Sequence, residues 1–155
     1  PGYGLEATTG GGDGEVVTAT TASQLAGYAR SSEPLFILVE GTINGSGRLT
    51  ISSNKTILGV GSDATINGYE LSMNDVSNII IRNLKITGSR DAIASRGTHH
   101  VWIDHCDASD CSDGLIDITN ESDHHTVSWT RLSNHDKTML INSGTDKPAD
   151  IDIFS

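Results

Sequence analysis

One segment recurs along this chain at a nearly constant interval, and that period limits the possible folds more than any other feature of the sequence. The stretch SNKTILGV begins at Ser53, and the similar stretch SNIIIRNL begins at Ser77. Within the second copy, NIIIRNL matches HVWIDHC, which starts at His100. A further step of almost the same length leads from Ile103 to Val127 in HTVSWTRL. The chain is therefore built from copies of one unit.

Each copy places an apolar residue at the same point of a short, partly β-branched run, at Ile57, Ile81, Ile103 and Val127. Turn-forming Gly, Ser, Asp or Asn residues follow each run, and no helical or heptad period passes through them. The pattern predicts an all-β, single-stranded parallel β-helix rather than helical repeats or an antiparallel sandwich. Residues one coil apart should then stack ~4.8 Å from each other.

Two Asn-Gly pairs, at 44–45 and 67–68, leave an alternative open. They fit either hairpin turns or ordinary turns at the corners of a coil. The length of 155 residues suits one domain, so we expect a single β-helix domain over 1–155.

Residues 21–30, TASQLAGYAR, form the one good helical segment, with Thr21 or Ser23 as its N-cap. We expect this helix to cap the first coil. Its inward residues would be Leu25, Ala26 and Ala29.

The other end of the chain closes on ADIDIFS, a strand-like run with no cap after it. An uncapped β-helix exposes backbone groups and apolar core. We therefore expect the chain to be the front part of a longer β-helix. Its remaining coils would come from residues beyond Ser155 or from a second polypeptide.

Ten Lys and Arg residues stand against 20 Asp and Glu residues, which gives a net charge of -10. This balance argues against nucleic acid or an anionic membrane as a partner. The longest apolar run, PLFILV, is far too short to span a bilayer. The chain begins at Pro1 without a leader, as expected of either a processed or a trimmed form.

Cys106 and Cys111 are close in the sequence, which allows either a local disulfide or two half-buried thiols. The disulfide would indicate an oxidising compartment. Two cysteines without further suitably spaced ligands are weak support for zinc.

Five aspartates crowd into the stretch from 104 to 117. Adding one period to Asp91 leads to Asp113, and adding another leads to Lys137, so we expect these three side chains to form one column. Asp117 could turn toward the same place. Carboxylates within ~6 Å raise each other's pKa unless a cation lies between them, and an all-oxygen set suits Ca²⁺. The alternative is that they are ordinary turn residues.

Three motifs in order, VWIDHC, SDGLIDI and TVSWTRLSNHDKTMLI, resemble those of polysaccharide lyase family 1, the pectate lyases. The resemblance runs from about Leu35 to Met139. It implies a right-handed parallel β-helix of a secreted enzyme. It also implies cleavage of polygalacturonate, the backbone of pectin, by Ca²⁺-dependent β-elimination.

Carried over residue by residue, the resemblance implies that Asp91, Asp113 and Asp117 bind calcium and that Lys137 holds a substrate carboxylate. A further acidic position of the family is Ser89 here. The family's catalytic base is an arginine in an Arg-x-Pro run, and this chain has no such run. We therefore expect the base beyond Ser155. The conceivable substitutes within the chain are Arg90, Arg96 and Arg131.

Other chemistry-bearing residues have simpler interpretations. We expect Asp104 and His105 to form a structural hydrogen-bond network rather than an acid-base pair. Trp102 and Trp129 should be packing residues rather than sugar platforms. The pairs His99-His100 and His124-His125 lie one period apart and should be solvated turn residues rather than a transition-metal site.

Two competing functions remain open. A polygalacturonase-like hydrolase would need acidic residues as acid and base, and its usual Gly-His-Gly and Arg-Ile-Lys motifs are absent from the sequence. A β-helical carbohydrate-binding or adhesive module would keep calcium without catalysis. The missing arginine keeps this second alternative open.

Overall fold

Short parallel strands and one helix make up the described part of the chain, residues 7–141 of a computed structural model. The elements are β1 Glu15–Ala19, α1 Ala22–Arg30, β2 Leu35–Val39, β3 Thr42–Thr50, β4 Lys55–Gly59, β5 Thr65–Asn74, β6 Ser77–Arg82, β7 Lys85–Thr87, β8 Asp91–Arg96, β9 His99–Asp104, β10 Asp107–Ser109, β11 Gly114–Thr119, β12 Asp123–Ser128, β13 Arg131–Ser133 and β14 Met139–Ile141.

The strands stack in coils, and every described strand pair is parallel. One sheet has the order β1-β2-β4-β6-β9-β12. A second sheet bends over a corner, because the long strand β5 pairs with β7 through its first half and with β8 through its second half. The stacked coils therefore have three faces, one from the first sheet and two from the second. The predicted single-stranded parallel β-helix is confirmed.

The register of the first sheet follows the sequence period. Ile57 lies beside Ile81, Ile81 beside Ile103, and Ile103 beside Val127. The three isoleucines are fully buried, and Val127 packs against them. The column of apolar residues predicted from the repeat is confirmed.

Each of the other two faces contributes an apolar column of its own. One column is Ile43, Ile66, Ile86, Ala108 and Leu132, and the other is Leu49, Leu71, Ile93, Ile116 and Met139. Most of these side chains have almost no exposed surface. Burial of three stacked columns supplies the hydrophobic stabilisation of the coils.

The corner that leads into the first sheet is built from left-handed residues one coil apart. Asn54, Asn78, His100 and His124 have φ values of 60°, 62°, 56° and 52°. Asparagine tolerates this conformation best among residues that carry a side chain. The Asn78 amide also donates to Asn54 Oδ1 at 2.8 Å, which ties two coils together. The Asn-Gly pairs at 44–45 and 67–68 lie inside β3 and β5, so they are bends and not hairpins.

Helix α1 packs against β1, β2 and β3 and covers the start of the core. Thr21 is its N-cap and accepts a hydrogen bond from the Gln24 backbone. Leu25 and Ala29 are fully buried, whereas Ala26 is only half-buried. The predicted capping helix is present where the sequence indicates it.

Cys106 and Cys111 are free, buried thiols. Burial raises the pKa of Cys106 to about 11, which makes this thiol unreactive. Of the two alternatives for this pair, the structure has the thiols.

The predicted strand in ADIDIFS, and with it the expectation about later coils, lies outside the described residues. Across residues 7–141, no helix has the length and apolar character that a membrane crossing requires.

Candidate functional site

The predicted acidic residues lie where the strands of one face begin. Asp91 is the first residue of β8, and Asp113 immediately precedes β11. Asp117 lies within β11, and Lys137 stands just before β14. Because β11 pairs with both β8 and β14, all four residues share one region of the surface.

Asp91 and Asp117 are brought together across a glycine. Gly114, the neighbour of Asp91 in the register, has no side chain. A Cβ atom added there would lie 3.1 Å from Asp91 Oδ1 and 3.1 Å from Asp117 Oδ1. The two carboxylates therefore face one small space that a larger residue would fill.

Asp91 is a buried carboxylate that feels the charge of Arg90 but is not hydrogen-bonded within the described residues. Its side chain is 1% exposed, and within the described residues neither carboxylate oxygen has a hydrogen-bond partner. Ser89 donates to the Asp91 backbone carbonyl at 2.7 Å and leaves the carboxylate untouched. A buried charge normally needs a partner, so this arrangement favours a bound cation.

Asp117 is electrostatically linked to its neighbours. Burial raises its pKa, and the charges of Asp91 and Asp113 raise it further. Arg96 opposes this shift only in part. The upward direction is the one expected of carboxylates crowded together without an ion between them.

Asp113 differs from the other two acids, because its oxygens face cations of the chain. Arg90 donates to Oδ2 through Nη2 at 2.8 Å and through Nε at 3.2 Å. Lys137 Nζ donates to Oδ1 at 3.2 Å. The hydrogen bond from Arg90, followed by that from Lys137, holds the pKa of Asp113 below its usual value.

The predicted column is out of register at its first step. Asp91 pairs with Gly114 and not with its neighbour Asp113. The turn between β10 and β11 is longer by a single residue than the turn between β7 and β8, and this extra residue displaces Asp113. At the second step the pairing of Ile116 with Met139 places Lys137 level with Gly114, and the side chains of Asp113 and Lys137 nevertheless meet.

A complete metal-binding set is not assembled by the chain alone. Within residues 7–141, no group of three or more His, Cys, Asp or Glu side chains is arranged to hold an ion. Asp91 and Asp117 are in place, while Asp113 is drawn toward Arg90 and Lys137. The carboxylate oxygens of Asp91 and Asp117 and the space over Gly114 nevertheless fit the oxygen ligands that Ca²⁺ takes.

Arg90 was missed as a site residue by the sequence reasoning, which considered it only as a substitute base. Its guanidinium pKa is raised, first by the hydrogen bond to Asp113. A base needs the opposite shift. Arg96 lies 3.9 Å from Glu70, and Arg131 is on another face, 3.9 Å from Asp107. The spacing of one coil between Arg90 and Asp113 was the available signal.

Asp104 and His105 form the expected structural network. Asp104 is 2% exposed and contacts Ser128 Oγ at 2.6 Å, Arg82 Nε at 3.0 Å and His105 Nδ1 at 2.8 Å. Burial alone would raise the pKa of Asp104, but the Ser128 and His105 contacts and the Arg82 charge outweigh it and keep that pKa low. The network lies on β6, β9 and β12, on a different face from Asp91.

The expectation for Trp129 was wrong. Its side chain is 84% exposed at a corner with φ +48°, and its ring stacks on His105 with centroids 6.0 Å apart. Trp102 is half-buried, outside the hydrophobic core, with Arg82 5.9 Å from its ring centroid. Its indole donates to Ser128 Oγ at 2.9 Å.

The four histidines are less solvated than expected. His100 and His125 are 5% and 2% exposed, and the rings of His100 and His124 stack 4.7 Å apart. The expectation of solvated turn residues was therefore wrong for His100 and His125. Left-handed corners favour stacking here, because residues one coil apart repeat the same backbone geometry.

Comparison with known proteins agrees with the geometry. A sequence model of the family described as "Pectate lyase" matches residues 5–152. The chain is 41% identical to "Probable pectate lyase B" of Aspergillus flavus, over 94% of this chain and 47% of that protein. It is 37% identical to the "Pectate trisaccharide-lyase" of Thermotoga sp. strain RQ2, over 89% of this chain and 41% of that protein.

A solved structure shows the same relation. The pectate lyase of Bacillus sp. N165, in complex with trigalacturonate, superposes with a TM-score of 0.78 at 32% identity. The match covers 90% of this chain and 53% of that one. The chain thus spans about half the length of the relatives it matches. With this fold, this family match and these identities, the chain belongs to the pectate lyase family.

Proposed function

We propose that this chain provides the calcium- and substrate-binding part of a pectate lyase that cleaves (1→4)-α-D-galacturonan by β-elimination. The observation that carries the proposal is the buried Asp91 carboxylate, which has no hydrogen-bond partner among the described residues and faces Asp117 across Gly114. Family membership and the trigalacturonate bound by the Bacillus sp. N165 relative support the substrate class.

In this proposal, Asp91 and Asp117 hold Ca²⁺ and Asp113 turns away from Arg90 and Lys137 to join them. This rotation of the Asp113 side chain would leave Arg90 and Lys137 without their ion-pair partner, close to the bound ion. Lys137 and Arg90 could then hold a uronate carboxylate, as Arg does through paired hydrogen bonds. Bound Ca²⁺ would reduce the charge repulsion between the acidic protein and the acidic polymer. It would also make the proton on the carbon next to the uronate carboxylate more acidic.

The base that removes this proton is proposed to lie outside residues 1–155, either further along the polypeptide or on a second polypeptide with the remaining coils. The absence of an Arg-x-Pro run from residues 1–155 supports this, because the family's catalytic arginine lies in such a run. We also propose that the protein is secreted, since a polymeric substrate cannot enter a cell intact.

The test is incubation of the intact polypeptide that contains this chain with polygalacturonate, with calcium or with a chelator. Elimination creates a conjugated double bond, so the ultraviolet absorbance of the product should rise only with calcium. Hydrolysis would give reducing ends without this absorbance, and a binding or adhesive module would give neither. Either result would contradict the proposal.

The variant Asp117→Asn should raise the calcium concentration needed for half-maximal activity by at least about tenfold, because one anionic ligand is lost. Calcium titration of the rate measures this change. Asp63→Asn is the matched control, since the Asp63 side chain is 88% exposed and pairs only with Lys85 among the described residues. An unchanged calcium requirement in Asp117→Asn would exclude Asp117 as a ligand.

A further inference from the structure

A groove of about 630 Å³ runs beside the candidate site, along the corner where the strands of the site face begin. Its walls come from four successive coils, at 45–48, 68–70, 88–90 and 110–112. The last two segments directly precede Asp91 and Asp113. The groove therefore leads from the calcium site toward the first coils.

The floor of this groove is almost bare backbone. Gly68 has φ +86°, and a Cβ there would lie 2.2 Å from the Gly45 carbonyl oxygen. Gly88 has φ +72°, and a Cβ there would lie 2.4 Å from Asn67 Oδ1. Larger residues would not fit at either position, so the close stacking of coils keeps the groove open.

Arg48 stands at the far end of the groove and is held from below. It is in register with Glu70, and its Nε lies 3.2 Å from Glu70 Oε1. The Glu70 side chain is 3% exposed, whereas that of Arg48 is 58% exposed. The contact is an ion pair without a hydrogen bond, since Oε1 of Glu70 has no hydrogen-bond partner among the described residues. The buried charge thus attracts the guanidinium to one side while much of the Arg48 side chain faces solvent.

Arg90 lines the near end of the same groove. Two strand spacings of about 4.8 Å, from β3 to β5 and from β5 to β8, separate the coils of Arg48 and Arg90. These two guanidinium groups are the cations that line the groove, and its acidic lining residues are the buried Glu70 and the exposed Asp110. A line of spaced cations suits a linear polyanion.

We propose that Arg48 binds a uronate carboxylate in a subsite remote from the calcium site, with Glu70 as its positioning residue. This inference rests on the proposed function and extends it. Arg48 would increase the affinity for long oligogalacturonates over short ones. Trigalacturonate, held at the calcium site, would not reach Arg48.

The experiment compares the binding of trigalacturonate and hexagalacturonate to the intact polypeptide in the presence of calcium, by calorimetry. Arg48→Gln should weaken hexagalacturonate binding about tenfold, the loss expected for one charge-assisted hydrogen bond, and leave trigalacturonate binding unchanged. Arg48→Lys should lose less, because it keeps the charge. Arg131→Gln, on another face, is the matched control and should bind both ligands as the parent protein does.

Arg48→Gln leaves Glu70 with only the more distant Arg96 as an ion-pair partner among the described residues, which could impair folding. The double variant Arg48→Gln/Glu70→Gln removes the buried charge as well. It should fold and show the same selective loss. Unchanged hexagalacturonate binding, or an equal loss for both ligands, would overturn the inference. Failure of the parent protein to bind either ligand would instead overturn the proposed function.

Discussion

At the scale of single residues, the site combines a costly group with an empty space. The Asp91 carboxylate is buried without a hydrogen-bond partner among the described residues, and Gly114 leaves room beside it. Such an arrangement lowers the free energy of unfolding of the ligand-free protein. Binding of a cation at this site would offset that loss.

Asp91→Asn should therefore raise the free energy of unfolding in the presence of a chelator by about 1 to 3 kcal/mol, because burying a neutral amide costs less than burying a carboxylate. The same change should abolish tight calcium binding. Urea denaturation and calorimetric calcium titration measure the two effects. Lower stability of this variant in chelator would show that Asp91 is compensated in some other way.

Gly114→Ala tests the empty space directly. The new methyl group would lie 3.1 Å from both Asp91 Oδ1 and Asp117 Oδ1, so these oxygens would have to shift by a few tenths of an ångström. Calcium affinity should fall about tenfold, because the methyl group would occupy the space that the two carboxylates face.

The control for Gly114→Ala is Gly27→Ala in α1, where no atom lies within 4 Å of the added Cβ. This change should leave calcium affinity unchanged and stabilise the helix by about 0.5 to 1 kcal/mol. Equal calcium affinity of Gly114→Ala and the parent protein would mean that the ion binds elsewhere.

At the scale of strands and corners, a buried polar cluster links β8, the turn that follows it and β12. His125 Nδ1 lies 2.9 Å from the Asp123 carbonyl oxygen, which makes Nδ1 the donor. Nε2 then accepts from Ser95 Oγ at 2.8 Å, and Thr98 Oγ1, 3.1 Å from Nε2, hydrogen-bonds to Ser95 Oγ. The cluster holds His125 in one neutral tautomer.

This cluster predicts a dependence of stability on pH. Burial lowers the pKa of His125 to about 4, below its usual value of 6.5. Its contribution is therefore fully present above pH 6.5 and is lost as the pH falls from 6.5 toward 4, because the unfolded chain takes up the proton first. The loss should be about 3 kcal/mol.

Urea denaturation between these pH values measures the effect. His125→Gln should flatten the dependence in this window, while His135→Gln, outside the cluster, should keep it. If the free energy of unfolding of His125→Gln changes with pH as steeply as that of the parent protein, other groups cause the dependence.

The strands were easier to predict from the sequence than the corners. The isoleucines at 57, 81 and 103 repeat because each must fill the same place in the core. Asp113 was misplaced because turn length is not constrained by the core, and one extra residue changes the register without a trace in composition. Trp129 was misjudged for the same reason, since it occupies a corner and not a strand.

At the scale of the whole molecule, calcium and folding should be coupled. A ligand that binds only the folded protein, at a concentration one hundred times its dissociation constant, adds about 2.7 kcal/mol to the stability. Calcium should thus raise the melting temperature relative to chelator, as measured by calorimetry. Asp91→Asn should show no such increase. A calcium-dependent increase that persists in this variant would indicate a different site.

The fold could be predicted from the sequence because it depends on a spacing that repeats along the chain, and the family could be predicted because three of its motifs occur in order. The ion pairs of Arg90 with Asp113 and of Arg48 with Glu70 could not be predicted, because each joins residues of adjacent coils whose register depends on an intervening turn. A repeat gives the approximate neighbour of a residue. Only the structure gives the exact one.

The turn that leads to β11 carries one residue more than the turns that lead to β8 and β14, because Ala108 and Ile116 are one residue further apart in the sequence than Ile86 and Ile93 or Leu132 and Met139. The hydrophobic columns stay in register across this insertion, since Ala108 still pairs with Ile86 and Ile116 with Ile93. An insertion at this corner can therefore alter the binding surface of one coil while the interior of every coil stays the same. The ligand specificity of such a β-helix can therefore evolve through insertions at one corner, with little effect on folding.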